Sequence, residues 1–567
     1  MCSEVVTILD NLDTHADRVP EKDAFTFQTN VSGRVTRLTF ESLRHAVSHI
    51  GGALSETFPA GARIGLVYAA SIEFIVAFLG CIQAGLVPVP VGNIKGKRSV
   101  SPSIDRVRAV LRAARPVAVL CLDERDMELL GEHSGLAAQL ISHTKFASAA
   151  SAACIVRRRY TDLAFIQFTS GSTSEPKGVL VTHGNLLENE EAILQAFGHD
   201  ETSVVVGWLP MHHDMGLVGN VLQSVYAGLS CHLMSPEDFV QRPTKWLELI
   251  SEVRGTTSGG PSFAYEHCVA RADGVPRSLD LATWRVAFNG AEPINPTVIE
   301  RFSKRFSRLG FRRESVFPCY GLAEATLFVT GSHIIDVDVP RFSRKTSSSA
   351  FAADIDGKVI TSCGPLAGRN QVTILSIDGS GRSLQDGEVG EIVVTGLSVS
   401  PGYLHENYNA RKEEVVKPLR TGDLGFAFDG QLYVVGRMKD VIIIRGENHY
   451  PSDIEFEIMR SFGEHGVHAV CVFGVNPLDS PTGAEEMVVS IEAASSVNKE
   501  DAAVHIRRLV LGRFGIRVLE VTFHRRFELN RTTSGKIQRQ LVRDSHLAKL
   551  QIAAGDVSGR GEGTSAR

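Results

Sequence analysis

FTSGSTSEPKG, residues 168–178, crowds five hydroxyl side chains, two glycines and a lysine into eleven residues. Glycines let the backbone turn successive N–H groups toward one point, and hydroxyls add further donors. Lys177 supplies a mobile positive charge suited to phosphate. The ligand this chemistry suits is a polyphosphate. A P-loop would need GxxxxGK[ST]; counting from Gly171 puts Pro176 at the second glycine slot, so that motif is excluded. No GxGxxG follows a strand, which weakens a dinucleotide reading. AFIQF before the loop reads as a strand, and GNLLENEEAILQAF after it reads as a helix. Taken alone, the stretch could equally be a polar surface turn.

Outward from the loop, the chain reads as alternating helices and strands. LTFESLRHAVSHIGGAL has helical spacing, with Thr39 and Ser42 placed to cap it. ARIGLVYA reads as a buried strand, SIEFIVAFLGCIQAG as a helix, and VRAVLRAARPVAVLCL as helix then strand. Such alternation favours parallel sheets with helices on their faces. From Gly387 to Gly436 the texture changes to short strands and Gly-rich turns, with Asp429-Gly430 a hairpin signal. A small α+β pattern follows: VIIIRG, VHAVCVFGV and EEMVVSIEA read as strands, DAAVHIRRLVLGRFG as a helix. PSDIEFEIMRSF reads as a helix with Ser452 and Glu455 in capping-box spacing. The domain boundary is expected at Gly436–Asp440.

The bulk numbers bound the rest. At 567 residues two or more domains are expected. A net charge of -5 gives no general case for nucleic-acid binding. Nine cysteines without a CxxC pair read as reduced thiols and a cytoplasmic protein. The acidic N-terminus MCSEVVTILDNLD does not read as a signal peptide. The most apolar run, FIVAFLGCI, is too short to span a bilayer, so no integral membrane association is expected.

WLPMHHDMGL (208–217), FNGAEPI (288–294), CYGLAEAT (319–326), TGDLG (421–425), GRMKDVIIIRGENHYP (436–451) and RTTSGKIQR (531–539) follow the loop. In this order, over nearly the whole chain, they resemble the acyl-adenylate-forming superfamily of acyl-CoA synthetases, luciferases and peptide-synthetase adenylation domains. Within it, TSGSTSEPKGV, HDMGLVGNVL, CYGLAEATLFV and IIIRGENHYPSDIE resemble fatty acyl-AMP ligases. The resemblance implies an α/β fold. Residues 1–436 would form a large N-terminal adenylation domain of stacked α/β subdomains plus a small β-barrel-like subdomain. A hinge at 437–440 around Asp440, a mobile α+β lid at 441–552 and a disordered tail at 553–567 would follow. A family-type insertion is placed at about 334–361; its bland alternative is a variable surface loop.

The implied reaction is ATP-dependent conversion of a medium or long-chain fatty acid to acyl-AMP, releasing pyrophosphate. The acyl group then passes to an acyl carrier protein or, alternatively, to CoA. ATP and Mg2+ are the implied cofactors. By resemblance, Thr169, Ser170, Gly171, Ser172, Thr173 and Lys177 hold phosphates, and Glu324 holds the magnesium ion. Tyr320, Gly321, Leu322 and the backbone of Gly290, Ala291 and Glu292 line the adenine pocket. Asp423 takes the ribose hydroxyls, and Arg437 contacts ribose or phosphate. Lys536 bridges substrate carboxylate and α-phosphate once the lid closes; with Arg437 and His213 it is the implied catalytic set. His213, Met215, Gly216, Gly260, Ser262 and Phe263 are expected along the acyl site. His212-His213-Asp214 has no further His or Cys at ligand spacing, which argues against zinc. Glu447 and Ser452 depart from the family pattern, where arginine and glutamine are common, and both lie just beyond the hinge on the side used in the second step.

Overall fold

Thr39 accepts the amide of Ser42 while Ser42 accepts that of Thr39, and this reciprocal cap starts the helix Phe40–Thr57. The computed structural model that shows it describes residues 7–28, 35–94, 102–122, 124–131, 138–147, 158–169, 176–334, 341–344, 351–354, 358–404, 417–444, 447–475, 485–532 and 535–558.

Two sheets carry the expected alternation. One has eight strands, parallel through its centre, running from Phe328–Gly331 at one edge through Val316–Gly321, Val286–Asn289 and Thr257–Gly259 to Val35–Thr39 at the other. The other is parallel throughout: Val87–Pro90, Arg63–Val67, Ala118–Cys121 and Gln139–Ser142. Helix Ile72–Gln83 is buried along almost its whole length among residues of the main core. The phosphate-loop stretch differs from the strand-loop-helix reading: Leu163–Thr169 pairs antiparallel with Lys177–Thr182 before the helix His183–Phe197 begins. The loop is therefore the tip of a hairpin, with Thr169 opposite Lys177.

A five-stranded antiparallel sheet follows, Ser362–Pro365, Gln431–Arg437, Leu419–Phe428, Gly390–Thr395 and Gln371–Leu375. Asp429 and Gly430 both have positive φ, 48° and 69°, as a tight two-residue hairpin turn requires. Beside it, Arg341–Arg344, Phe351–Ala353 and Lys358–Val359 form a small antiparallel sheet. Phe342 and Phe351 bury into a cluster with Leu424, Phe426, Tyr433 and Val435, which Tyr450 also joins.

From Ile442 onward, helices Pro451–Phe462 and Lys499–Phe514 pack with the strands Val467–Val475, Glu486–Ala493 and Val518–His524 around a separate core. The capping-box expectation fails here. Tyr450 is the cap residue and Pro451 opens the helix. Ser452 instead donates to the Val435 carbonyl at 2.9 Å, and Glu455 accepts the Val472 amide and an Arg539 N–H. Tertiary partners outcompete the local cap. The last helix, Arg539–Ser558, takes in residues 553–558 of the stretch expected to be a tail; 559–567 lie outside the described residues. No helix among the described residues is long and apolar enough to cross a membrane.

Candidate active site

Strand Val316–Gly321 carries Tyr320 into a large cleft whose walls come from both the large unit and the small C-terminal one. The Tyr320 hydroxyl donates to Asp423 Oδ2 at 2.8 Å, and Arg437 Nε lies 3.1 Å from Oδ1 of the same carboxylate. Asp423 and Arg437 face each other across adjacent strands, so the ladder register sets this ion pair. Burial opposes the Arg437 charge, but Asp423 and then Asp440 more than offset it and raise its pKa. Burial, then the Asp423 charge, holds the Tyr320 phenol well above its usual range, so it remains a donor. The result is a flat aromatic face beside an acid with free lone-pair capacity, a fit for a nucleoside.

The adjoining turn holds Gly290, Ala291 and Glu292. A Cβ on Gly290 would lie 2.9 Å from the Cys319 carbonyl, so only glycine permits the close approach. Ala291 sits in the left-handed region at φ 69°, which turns its carbonyl out to accept Lys536 Nζ at 2.5 Å. Lys536 comes from the small unit. Its loop is braced by Thr532 Oγ1, which accepts the Lys536 amide, and by Arg531, which donates to the Gly535 carbonyl and pairs with buried Glu492 at 2.7 Å. Gly535 lies at φ 89°, and a Cβ there would meet the Phe263 ring at 2.5 Å. Burial lowers the Lys536 pKa, as does Arg437, while Glu292 and Asp423 counteract. Glu292 is pushed up by burial, and its Oε1 accepts the Phe263 amide at 3.2 Å.

On the phosphate side, Tyr403 donates to Glu324 Oε1 at 2.6 Å while Lys177 Nζ stands 5.5 Å from the centre of the Tyr403 ring. The segment around Tyr403 is stitched to the hairpin: Leu404 donates to Gly178, Leu180 to Gly402, and Ser400 to the Glu324 carbonyl. Lys177, Tyr403 and Glu324 thus form one strip. Thr169 and Lys177 line the cleft; Ser170, Gly171, Ser172 and Thr173 lie outside the described residues.

His212, His213 and Asp214 enter the cleft ahead of a π-helical segment, Leu217–Leu222, a distortion frequent at functional sites. Burial, with Arg106 adding to it, lowers the His213 pKa to about 3, so the imidazole is neutral at physiological pH. Burial lifts Asp214 to about 6, and Glu324 adds to that while Lys536 counteracts. His212 packs against Gly92, and its carbonyl accepts Gln167 Nε2 at 2.8 Å. Of the acyl-site expectations, His213, Ser262 and Phe263 line the cleft, whereas Met215, Gly216 and Gly260 do not. Gly216 is needed against the Pro210 carbonyl, and Gly260 against the Trp208 indole. Gly290 too is set back, while Ala291, Glu292, Gly321, Leu322 and Glu324 face the cleft.

Asp440 pairs with Arg539 at 3.2 Å, and Arg539 also pairs with Glu455 at 2.6 Å and donates to the Val472 carbonyl. Sequence reasoning did not find Tyr403, Arg539 or Arg106. Each sits away from a quoted glycine-rich signature or gains its meaning only from a distant partner.

Among the described residues no cluster of three His, Cys, Asp or Glu side chains could hold a metal ion as an all-protein cage. Glu324, a cleft-facing carboxylate with one oxygen already bonded to Tyr403, fits Mg2+, which takes one or two carboxylates plus phosphate and water.

Comparison with known proteins agrees with this geometry. The AMP-binding enzyme family model matches residues 12–404. A medium-chain-fatty-acid–[acyl-carrier-protein] ligase of Teredinibacter turnerae is 40% identical over 416 residues, 69% of this chain and 64% of that protein, so the match spans less than two thirds of that relative. A second ligase so named, from Moorena producens, is 35% identical over 95% of both chains. A solved fatty acyl-adenylate ligase of L. pneumophila, in complex with acyl adenylate and pyrophosphate, superposes with a TM-score of 0.72 at 31% identity, covering 96% of each chain. The chain therefore belongs to the AMP-binding enzyme family, within the group that includes the fatty acyl-AMP ligases.

Proposed function

We propose that this enzyme activates a medium or long-chain fatty acid with ATP and passes the acyl group to an acyl carrier protein. A carboxylate oxygen attacks the α-phosphorus, the bond to the bridging oxygen of the β-phosphate breaks, and pyrophosphate leaves. Two anions must approach each other, so the barrier is chiefly electrostatic. The observation that carries the reading is the reach of Lys536 across the unit boundary to Ala291, beside Glu292, Asp423 and Arg437. There an ammonium meets charge from both the acid and the α-phosphate. Arg437 orients the ribose and phosphate while Asp423 accepts the ribose hydroxyls. Neutral His213 flanks the carboxylate without adding charge. Lys177 and Thr169 hold the β- and γ-phosphates. Glu324 would hold Mg2+, which would neutralise phosphate charge.

In the second step the carrier thiol attacks the acyl carbon, AMP leaves and the thiol proton passes to solvent. That step calls for a different lid position, and Asp440, held by Arg539, is the proposed pivot, with the domain boundary at 437–440. The segment at about 334–361 is the proposed family-type insertion. Its Phe342 and Phe351, packed with Phe426 and with Tyr450 of the lid, support a role in limiting the closure CoA would need. All seven cysteines among the described residues are free, consistent with a cytoplasmic enzyme.

Incubation with ATP, Mg2+ and a panel of acids, reading acyl-AMP by mass, tests the first step. Adding CoA and a phosphopantetheinylated carrier protein in parallel tests the second. Product on CoA alone would replace the carrier with CoA as acceptor, and no adenylate from any acid would remove the whole reading.

A further inference from the structure

Helix Pro102–Ala114 runs along the wall of the cleft and presents Arg106 to it. The guanidinium is half-buried, yet it makes no hydrogen bond or ion pair with any described residue. Its neighbour Asp105 also borders the cleft but is exposed, and successive helical residues diverge by about 100°. An arginine held partly out of water without a counter-ion is unfavourable unless an anion completes it.

The packing of its helix says which anion. The helix that carries Arg106 packs on the phosphate hairpin, with its Ile104, Val107 and Val110 in one buried cluster with Phe168 and Leu180, and the hairpin ends Thr169, Pro176 and Lys177 line the same cleft as Arg106. Lys536 serves the carboxylate and α-phosphate on the reading above, and Arg106, on the helix packed against the hairpin that carries Lys177, is placed for the terminal phosphates.

We infer that Arg106 is a binding residue for the terminal phosphates of ATP and for the pyrophosphate they become, acting together with Lys177. A planar guanidinium suits two phosphate oxygens at once, where Lys177 offers a point charge. This inference rests on the adenylation reading above.

The test is calorimetric binding of pyrophosphate, ATP and AMP, with Mg2+, to the full chain and to its Arg106→Gln and Arg106→Lys variants. AMP lacks the terminal phosphates and serves as the internal control for folding. Arg106→Gln should weaken pyrophosphate and ATP at least about tenfold, the scale of one charge-assisted contact. AMP affinity should stay within about twofold, and Arg106→Lys should fall between. Equal losses for AMP and pyrophosphate would make Arg106 merely structural. A loss confined to the KM for fatty acid would make the carboxylate its partner, and unchanged binding would remove the assignment. If the unaltered chain bound neither ATP nor AMP, the adenylation reading itself would fail.

Discussion

Two of the lysines that line this cleft, Lys177 and Lys536, are held in place by different means. Lys177 begins a strand hydrogen-bonded to its neighbour in the same hairpin, and the segment carrying Tyr403 extends that ladder. Lys536 arrives from another unit on a loop that touches the large domain at the Phe263 ring and the Ala291 carbonyl. The first is preorganised whether or not the lid is closed. On the lid motion proposed above, the second would reach the site only on closure, so closure would gate the chemistry. On that reading, nucleotide binding and adenylation are separable properties of this molecule.

The sharpest way to break the comparison is Lys536→Ala. Acyl-AMP formation should fall about 10²- to 10³-fold, the scale of removing one transition-state electrostatic contact, while AMP binding to the large domain changes little. A parallel loss of AMP affinity, read by calorimetry, would show that the two halves are not independent. Gly535→Ala tests the docking rather than the charge. The added methyl would meet Phe263 at 2.5 Å in a backbone region that disfavours side chains, so kcat should drop about tenfold with AMP affinity kept.

Tyr403→Phe probes the preorganised half. Losing the bond to Glu324 should lower kcat about fivefold and raise the Mg2+ concentration needed for half-maximal rate, read by magnesium titration. An unchanged magnesium requirement would leave Tyr403 a packing residue. The smallest effect concerns pH. Burial lowers His183 to about 4, His199 to about 4 and His213 to about 3, all in the large domain. Between those values and the unfolded value near 6.5 only the unfolded chain binds these protons, so their stabilisation is full above pH 6.5 and is lost as pH falls. Asp214, lifted to about 6, works oppositely between its ordinary value of 3.8 and 6 and offsets part of the loss. The melting temperature should therefore fall by about 5 °C from pH 7 to 5.5, read by calorimetry. A rise would reverse the assigned directions.

Much of this was legible beforehand where the signal was local. Thr39 with Ser42, Asp429-Gly430 and the helix-strand alternation each depend on residues a few positions apart, whose geometry is fixed by sterics and nearby hydrogen bonds. The same logic misled at Ser452 and Glu455, where correct spacing met a stronger offer from Val435, Val472 and Arg539. At Gly216 and Gly260, proposed for the acyl site, the structure adds a packing reason for glycine, the close approach of the Pro210 carbonyl and the Trp208 indole.

By itself the sequence determined the family, the order of the elements and the identities of Lys177, Tyr320, Glu324, Asp423, Arg437 and Lys536, because spacing within a motif survives without knowledge of the fold. Only the tertiary structure decided which of them meet. Lys536 and Ala291 are 245 positions apart, and Tyr320 and Asp423 are 103 apart. Such pairs are chosen by packing of whole sheets and domains, and no local pattern encodes the distance between them.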